Sequence, residues 1–209
     1  MPDIPQTVPA PLREIPKFSD ETKGMVTVSG QWIDYLNPDP AAIVPQDIAV
    51  HLERNPRFQG ATSRPWNGLD HTLYCDDIAV EVFHASDELR GDVLLHDAHE
   101  FATGDPTTGL KRCSPGICVV QTRLDVAIRL AYGLGSLLEE QRALIKRIDT
   151  LALLGEAREY MGQRFRERLR ERYGEPPAVR PTYRGRGVAI AEFKARCYEV
   201  GLRIVGEDE

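Results

Sequence analysis

LLHDAHEFATGD, residues 94–105, sets an imidazole and a carboxylate side by side directly after two leucines. Upstream, Ser86 has the character of an N-cap followed by Glu88 and Leu89, and Gly104-Asp105-Pro106 stops the run. The pattern predicts one helix from Ser86 to about Thr103, packed against a core. On such a helix His96 and Asp97 would carry a heavy desolvation cost unless something compensates it. A divalent cation would do so, because neutral imidazole and ionised carboxylate are ordinary ligands for it. Glu100 falls one helical turn beyond His96, where it could orient a water without being a ligand.

Two ligands do not hold a metal, so further polar residues on apolar helix faces are candidates. His71 opens the stripe His71, Cys75, Ile78, Val82 on a helix predicted over Leu69–Phe83. Asp149 sits in LIKRIDTLALLGEA among Ile145, Ile148, Leu151, Leu153 and Leu154, where an unpartnered acid would be strongly destabilising. The rest of the chain reads as mostly helical. MVTVSGQWIDYL (25–36) alternates around Ser29-Gly30 and predicts a short β-hairpin. Helices are expected at 45–55, 117–132, 137–173 (with a break near 145) and 188–202, with loops at 57–68, 104–116 and 175–187. Residues 1–24 hold five prolines and no apolar periodicity, the pattern of an extended arm.

Composition narrows the function classes. The chain has 209 residues, 42% of them apolar and 28% charged, which suits one domain with a real core rather than a disordered segment. No stretch approaches the roughly 18–20 apolar residues of a membrane helix. The N-terminus lacks an apolar signal core, so the expected compartment is the cytoplasm, or the host cytoplasm if the chain is phage-encoded. A net charge of −6 argues against a partner that is a nucleic-acid polymer. The four cysteines (Cys75, Cys113, Cys118, Cys197) follow no CxxC spacing, which argues for reduced thiols rather than a disulfide framework or a thiolate zinc site. The charge is also segregated. Asp76–Asp105 holds nine acids against Arg90 alone, and Arg158–Arg186 holds nine arginines against four acids. Two solvated helix faces would explain that, and so would a cation site beside an anion site.

The ordered set His71 … His96-Asp97 … Asp149 resembles the H…HD…D signature of the HD-domain superfamily of metal-dependent phosphohydrolases. HDAHEFATGDPTTGLK (96–111) is similar to the HDAxExxxGDxPxPxK run of its small single-domain members. RFQG (57–60) resembles the Arg-aromatic segment of bacterial 5′-deoxynucleotidases and phage HD phosphohydrolases, and SGQWIDYLNPDP resembles the hairpin that opens many phage members. The resemblance spans about residues 25–160. It implies an all-α HD-domain helical bundle with a small N-terminal β-hairpin. The chain would divide into the arm at 1–24, the HD domain at 25–174, and a basic loop with a C-terminal helix packing on that domain at 175–209. His71, His96, Asp97 and Asp149 would hold one divalent metal (Mn, Co, Zn, Fe or Mg), with room for a second ion arriving with the substrate phosphates. Glu100 would position the attacking water, Asp105 would protonate the leaving oxygen or bind the sugar, and Arg57 would grip the phosphate. Lys111 would add a phosphate contact and Phe58 would line the substrate site, while the loop residue Trp66 either stacks on a base or packs on the domain.

Three departures from the family pattern stand out. Phe58 occupies the place of a tryptophan that helps the deoxynucleotidases exclude ribose, Thr107 and Gly109 replace the two tail prolines, and TSRPWNGLD (62–70) is unusually polar. The implied activity is hydrolysis at the α-phosphate of a small nucleotide. A triphosphohydrolase acting on deoxynucleoside triphosphates such as dATP is slightly favoured by the arginine block, and a 5′-deoxynucleotidase acting on monophosphates is the alternative. More remote readings are an HD-fold di-iron oxygenase, which needs more histidines than the two convincing ones here, and a nucleotide sensor without turnover. Small members of this superfamily commonly assemble, so a homo-oligomer is expected.

Overall fold

The computed structural model describes residues 23–185 and 187–203. Nearly all of the Pro-rich arm at 1–24, together with Arg186 and the last six residues, lies outside the described residues. The alternation in MVTVSGQWIDYL produces β1 (Gly24–Val26) and β2 (Trp32–Asp34), an antiparallel pair with Met25 opposite Ile33. Gly30 turns between them at φ 89°, a conformation that costs residues bearing a Cβ. Ile33 is fully buried and its neighbour Trp32 is not, the two-residue period of a half-buried strand.

Helices α1 (Pro45–Arg54), α2 (Gly68–Phe83), α3 (Asp87–Leu95), α4 (Glu100–Thr103), α5 (Thr108–Cys113), α6 (Gly116–Ala131), α7 (Glu139–Tyr160), α8 (Gln163–Tyr173) and α9 (Val188–Glu199) follow. The architecture is therefore all-α with a small N-terminal hairpin. Helix α2 is the axis of the fold. Asn67 caps it by accepting from the Asp70 amide, and its first three turns are buried on every side. A helix buried on every side must be enclosed by others, and α1, α3, α7 and α9 enclose it. Leu69 and Leu73 join one apolar cluster with Ile48, Leu52, Leu94 and Phe193. Tyr74, Cys75 and Ile78 join a second with Trp66, Val93, Ile148 and Tyr160. Among the described residues no helix is long and apolar enough to cross a membrane.

The structure departs from the expected helices in three places. The run from Ser86 does not continue to Thr103. It leaves α3 at Leu95 and tightens into three-residue turns, with Ala98 N–H to Leu95 O, Glu100 N–H to Asp97 O and Phe101 N–H to Ala98 O all at 3.0 Å. The helix expected over 137–173 breaks at Met161-Gly162, not near 145. There the Ser63 amide donates to Tyr160 O at 2.9 Å, taking a carbonyl that a continued helix would use. The loop expected over 104–116 contains the short helix α5, capped by the Thr107 side chain.

Candidate metal centre

The tightened turn decides the local geometry. Residues three apart eclipse one another in such turns, so Glu100 stacks over Asp97 rather than simply following His96 along an α-helical face. The His96 side chain turns back, and its Nδ1 lies 2.7 Å from Val93 O. A carbonyl only accepts, so Nδ1 carries a proton, and in the neutral ring that a metal would bind, Nε2 presents its lone pair. On α2, His71 Nδ1 lies 2.5 Å from Glu156 Oε1, which fixes the same tautomer. The two free lone pairs converge. His71 Nε2 is 3.5 Å from both Asp97 Oδ2 and Asp149 Oδ1, and His96 Nε2 is 3.3 Å from Asp97 Oδ2.

One potential ligand atom from each of His71, His96, Asp97 and Asp149 falls within a 4.8 Å span. A tetrahedron of ligands at about 2.1 Å from a metal has edges of about 3.4 Å, close to the separations found. Two further observations fit a cation here. His96 Nε2 and Glu100 Oε2 are buried and make no hydrogen bond. Five carboxylates (Asp97, Glu100, Asp105, Asp149, Glu156) also face three side-chain cations (Arg57, Lys111, Lys146), an excess that one divalent ion would cancel.

The titration behaviour reflects that excess. Burial, joined by Arg57 for His71, works against protonated His71 and His96, yet both are held well above the usual imidazole range, by Cys75 and Glu156 for His71 and chiefly by Asp97 for His96. Glu100 is pushed up to about 9 by burial first, then by Asp97 and Asp105. In the cation-free chain the imidazoles hold protons that a metal would displace.

Around the centre, Arg57 is delivered by a strained turn. Phe58 and Gln59 both adopt left-handed backbone, φ 54°, which bulky residues rarely do. Arg57 Nη1 reaches Asp105 at 3.3 Å and Asp97 at 3.7 Å, and Nη2 reaches Glu156 at 3.5 Å. The Phe58 ring lies under that guanidinium and edge-on to Phe165. Lys111 on α5 approaches Glu100 at 3.9 Å. A cleft of about 370 Å³ opens onto His96, Asp97 and Asp149, and Arg129, Arg142 and Lys146 stand along it.

Three expectations need correction. Trp66 is 2% exposed, stacks at 4.8 Å on Tyr160 and donates its indole N–H to Glu156 at 3.0 Å, so its ring is not available to a base. Asp149 is not enclosed by leucines. Its carboxylate is 22% exposed, faces the cleft and pairs with Lys146 at 2.7 Å. Arg184, in the arginine block read as a possible anion site, is committed to Asp77 and Glu192. Glu156 was missed from the sequence, although it is the acid that α7 buries completely and it orients His71, Trp66 and Arg57. Its position seven residues after Asp149, two helical turns on the same face, was the available signal.

Together these features define a helical protein built around a buried histidine–carboxylate centre. No family model matches the chain. It is 31% identical over 158 residues, 73% of this chain and 80% of the relative, to Uncharacterized protein RCAP_rcc00048 of Rhodobacter capsulatus. Over 135 residues, 64% of this chain and 70% of the relative, it is 30% identical to Uncharacterized protein YfdR of Escherichia coli strain K12. The chain belongs to the family that these two proteins represent.

Proposed function

We propose that the chain is a metal-dependent phosphohydrolase of small nucleotides, of the HD-domain type. The observation that carries this is the convergence of the His71 and His96 lone pairs on Asp97 and Asp149, beside a buried arginine. A divalent ion held by those four residues would polarise a phosphate and bring the pKa of a water towards neutrality. The chain's own groups supply the rest. Arg57 is planar and always charged, so it suits a phosphoryl group and offsets the charge that develops during transfer. Glu100 has an uncommitted oxygen at the mouth of the tightened turn, where it can orient an attacking water, and it would accept that water's proton once a bound cation offsets Asp97 and Asp105 and lowers its raised pKa. Asp105, 3.3 Å from Arg57, is positioned to give a proton to the leaving oxygen or to hold a sugar hydroxyl. Lys111 adds a second positive charge on the Glu100 side.

Deoxynucleoside triphosphates remain the favoured substrates, with monophosphates as the alternative, but the argument shifts from the arginine block to the cleft. Arg142 and Lys146 stand along the cleft that opens on the ligand set, where distal phosphates could be received. Incubation with Mn²⁺ or Co²⁺ and a panel of deoxynucleoside mono- and triphosphates tests the proposal. Release of inorganic triphosphate is expected, and release of orthophosphate from monophosphates would select the nucleotidase form. Loss of turnover in Asp97→Ala is expected with either. No turnover with any metal, or full activity in Asp97→Ala, would overturn the reading.

A further inference from the structure

The geometry points to Cys75 as a thiolate ligand in a second donor set built on the same two imidazoles, which would make it a site for a soft or borderline cation such as Zn²⁺ or Co²⁺ rather than Mg²⁺. This rests on the metal-centre reading above and extends it. Cys75 lies one helical turn after His71 on α2, so the fold that turns His71 inward turns the thiol the same way. Its Sγ is completely buried and lies 3.6 Å from His71 Nε2, the lone-pair nitrogen, against 4.0 Å from Nδ1. For a nitrogen at about 2.1 Å and a sulfur at about 2.3 Å from one tetrahedral metal, the expected separation is about 3.6 Å. Donor atoms of His71, Cys75 and His96 fall within 4.8 Å of one another. His96 supplies the independent pointer to a ligand, since its side chain is 8% exposed and its Nε2 makes no hydrogen bond.

Two donor sets thus share one pair of imidazoles. Asp97 and Asp149 offer hard oxygens, and Cys75 offers sulfur. Oxygen ligands alone suit Mg²⁺ and Mn²⁺, whereas two imidazoles and a thiolate suit zinc and cobalt. The spacing of the cysteines gave no hint of this, because the partners of Cys75 are a histidine of α2 and one from the turn after α3 rather than a second cysteine.

The test uses the full chain carrying Cys113→Ser and Cys118→Ser, which removes the two exposed thiols. Titration with Co²⁺ should give one equivalent bound and a near-ultraviolet thiolate-to-cobalt charge-transfer band. Adding Cys75→Ser should abolish the band and weaken Zn²⁺ binding by more than the roughly 10–100-fold that loss of an outer partner costs. If that variant does not fold, Cys197→Ser in the same background decides instead, because the band must survive when Cys75 is the last thiol. Cobalt bound with visible d–d bands but no charge-transfer band overturns the thiolate assignment and leaves the four-ligand centre standing. No cobalt binding overturns both.

Discussion

Glu156 is fully buried in the last turns of α7, and a buried carboxylate persists only where its oxygens are paired. Oε1 receives the His71 imidazole and the Trp66 indole, and Oε2 faces Arg57. Its work is to hold His71 in the tautomer that frees Nε2, the role carboxylates play behind metal-bound histidines. Glu156→Gln keeps an acceptor but loses the charge, and Glu156→Ala loses both. Calorimetric titration of Zn²⁺ or Mn²⁺ should therefore show affinity falling about 10–100-fold in the alanine variant and less in the glutamine variant. Equal affinity in all three proteins, each confirmed as folded, would show that Glu156 only packs. The residues around it were unequally legible in the sequence. His96-Asp97 stood out because two polar groups followed two leucines, and His71 because it headed an apolar stripe. Glu156 did not, since Arg158 and Glu159 beside it make the end of α7 look like a solvated face. Trp66 misled for a related reason. A tryptophan in a polar loop looks free until the loop is seen closing at Pro56 and Asn67 and folding its indole onto Tyr160.

The approach of α7 to α2 is what brings Asp149 and Glu156 to His71. It depends on Gly155, where an added Cβ would sit 2.0 Å from the Tyr74 hydroxyl. That hydroxyl cannot easily retreat, because it donates to Val179 O at 2.9 Å from a buried ring. In an open helix Gly→Ala would stabilise by roughly 0.5–1 kcal/mol. Here the overlap should reverse the sign, and Gly155→Ala should cost about 1–3 kcal/mol. Urea unfolding reads the loss, and Tyr74→Phe added to Gly155→Ala should recover part of it by removing the oxygen. A pair of additive effects would mean the two residues are not in contact. At this scale, helix identity was readable from apolar spacing, whereas helix ends set by tertiary contacts were not. The break at Met161-Gly162 depends on the Ser63 amide, nearly a hundred residues away, taking the carbonyl of Tyr160. The tightened turn at His96–Ala102 is equally invisible to spacing, since i+3 and i+4 patterns coincide over so short a run.

Across the whole molecule the two charge blocks separate into different tasks. Of the nine acids between Asp76 and Asp105, Asp97, Glu100 and Asp105 belong to the centre. Asp92 pairs with Arg129 at 2.8 Å, while Asp76 and Asp77 anchor the C-terminal segment. Most of the arginines between Arg158 and Arg184 that are engaged serve the fold: Arg158 holds Pro177 O and Val179 O, Arg170 pairs with Glu175, and Arg184 bridges Asp77 and Glu192. Helix α9 is thereby fastened to α2 and α3 through Asp76, Asp77, Arg90, Arg184, Glu192 and Arg196, the α2 residues being Asp76 and Asp77 on the same helix as His71. That fastening makes α9 a support for α2, and so for His71. Glu192 is the carboxylate that α9 itself contributes. Burial alone would raise its pKa, but Arg184 and Arg196 more than reverse this and hold it below the usual range. A carboxylate depressed in the folded state contributes its full stabilisation above its unfolded pKa and loses it as pH falls through the folded value. The clamp on α9 should therefore hold at neutral pH and weaken on acidification below the ordinary glutamate range. Glu192→Gln should lower the urea midpoint at pH 7 while leaving a shallower fall between pH 7 and about pH 3 than in the parent chain. The comparison isolates this group, because the carboxylates of the centre titrate in both proteins. Parallel curves would place the acid sensitivity of the fold at the centre and leave α9 held by Asp76, Asp77 and its apolar face alone.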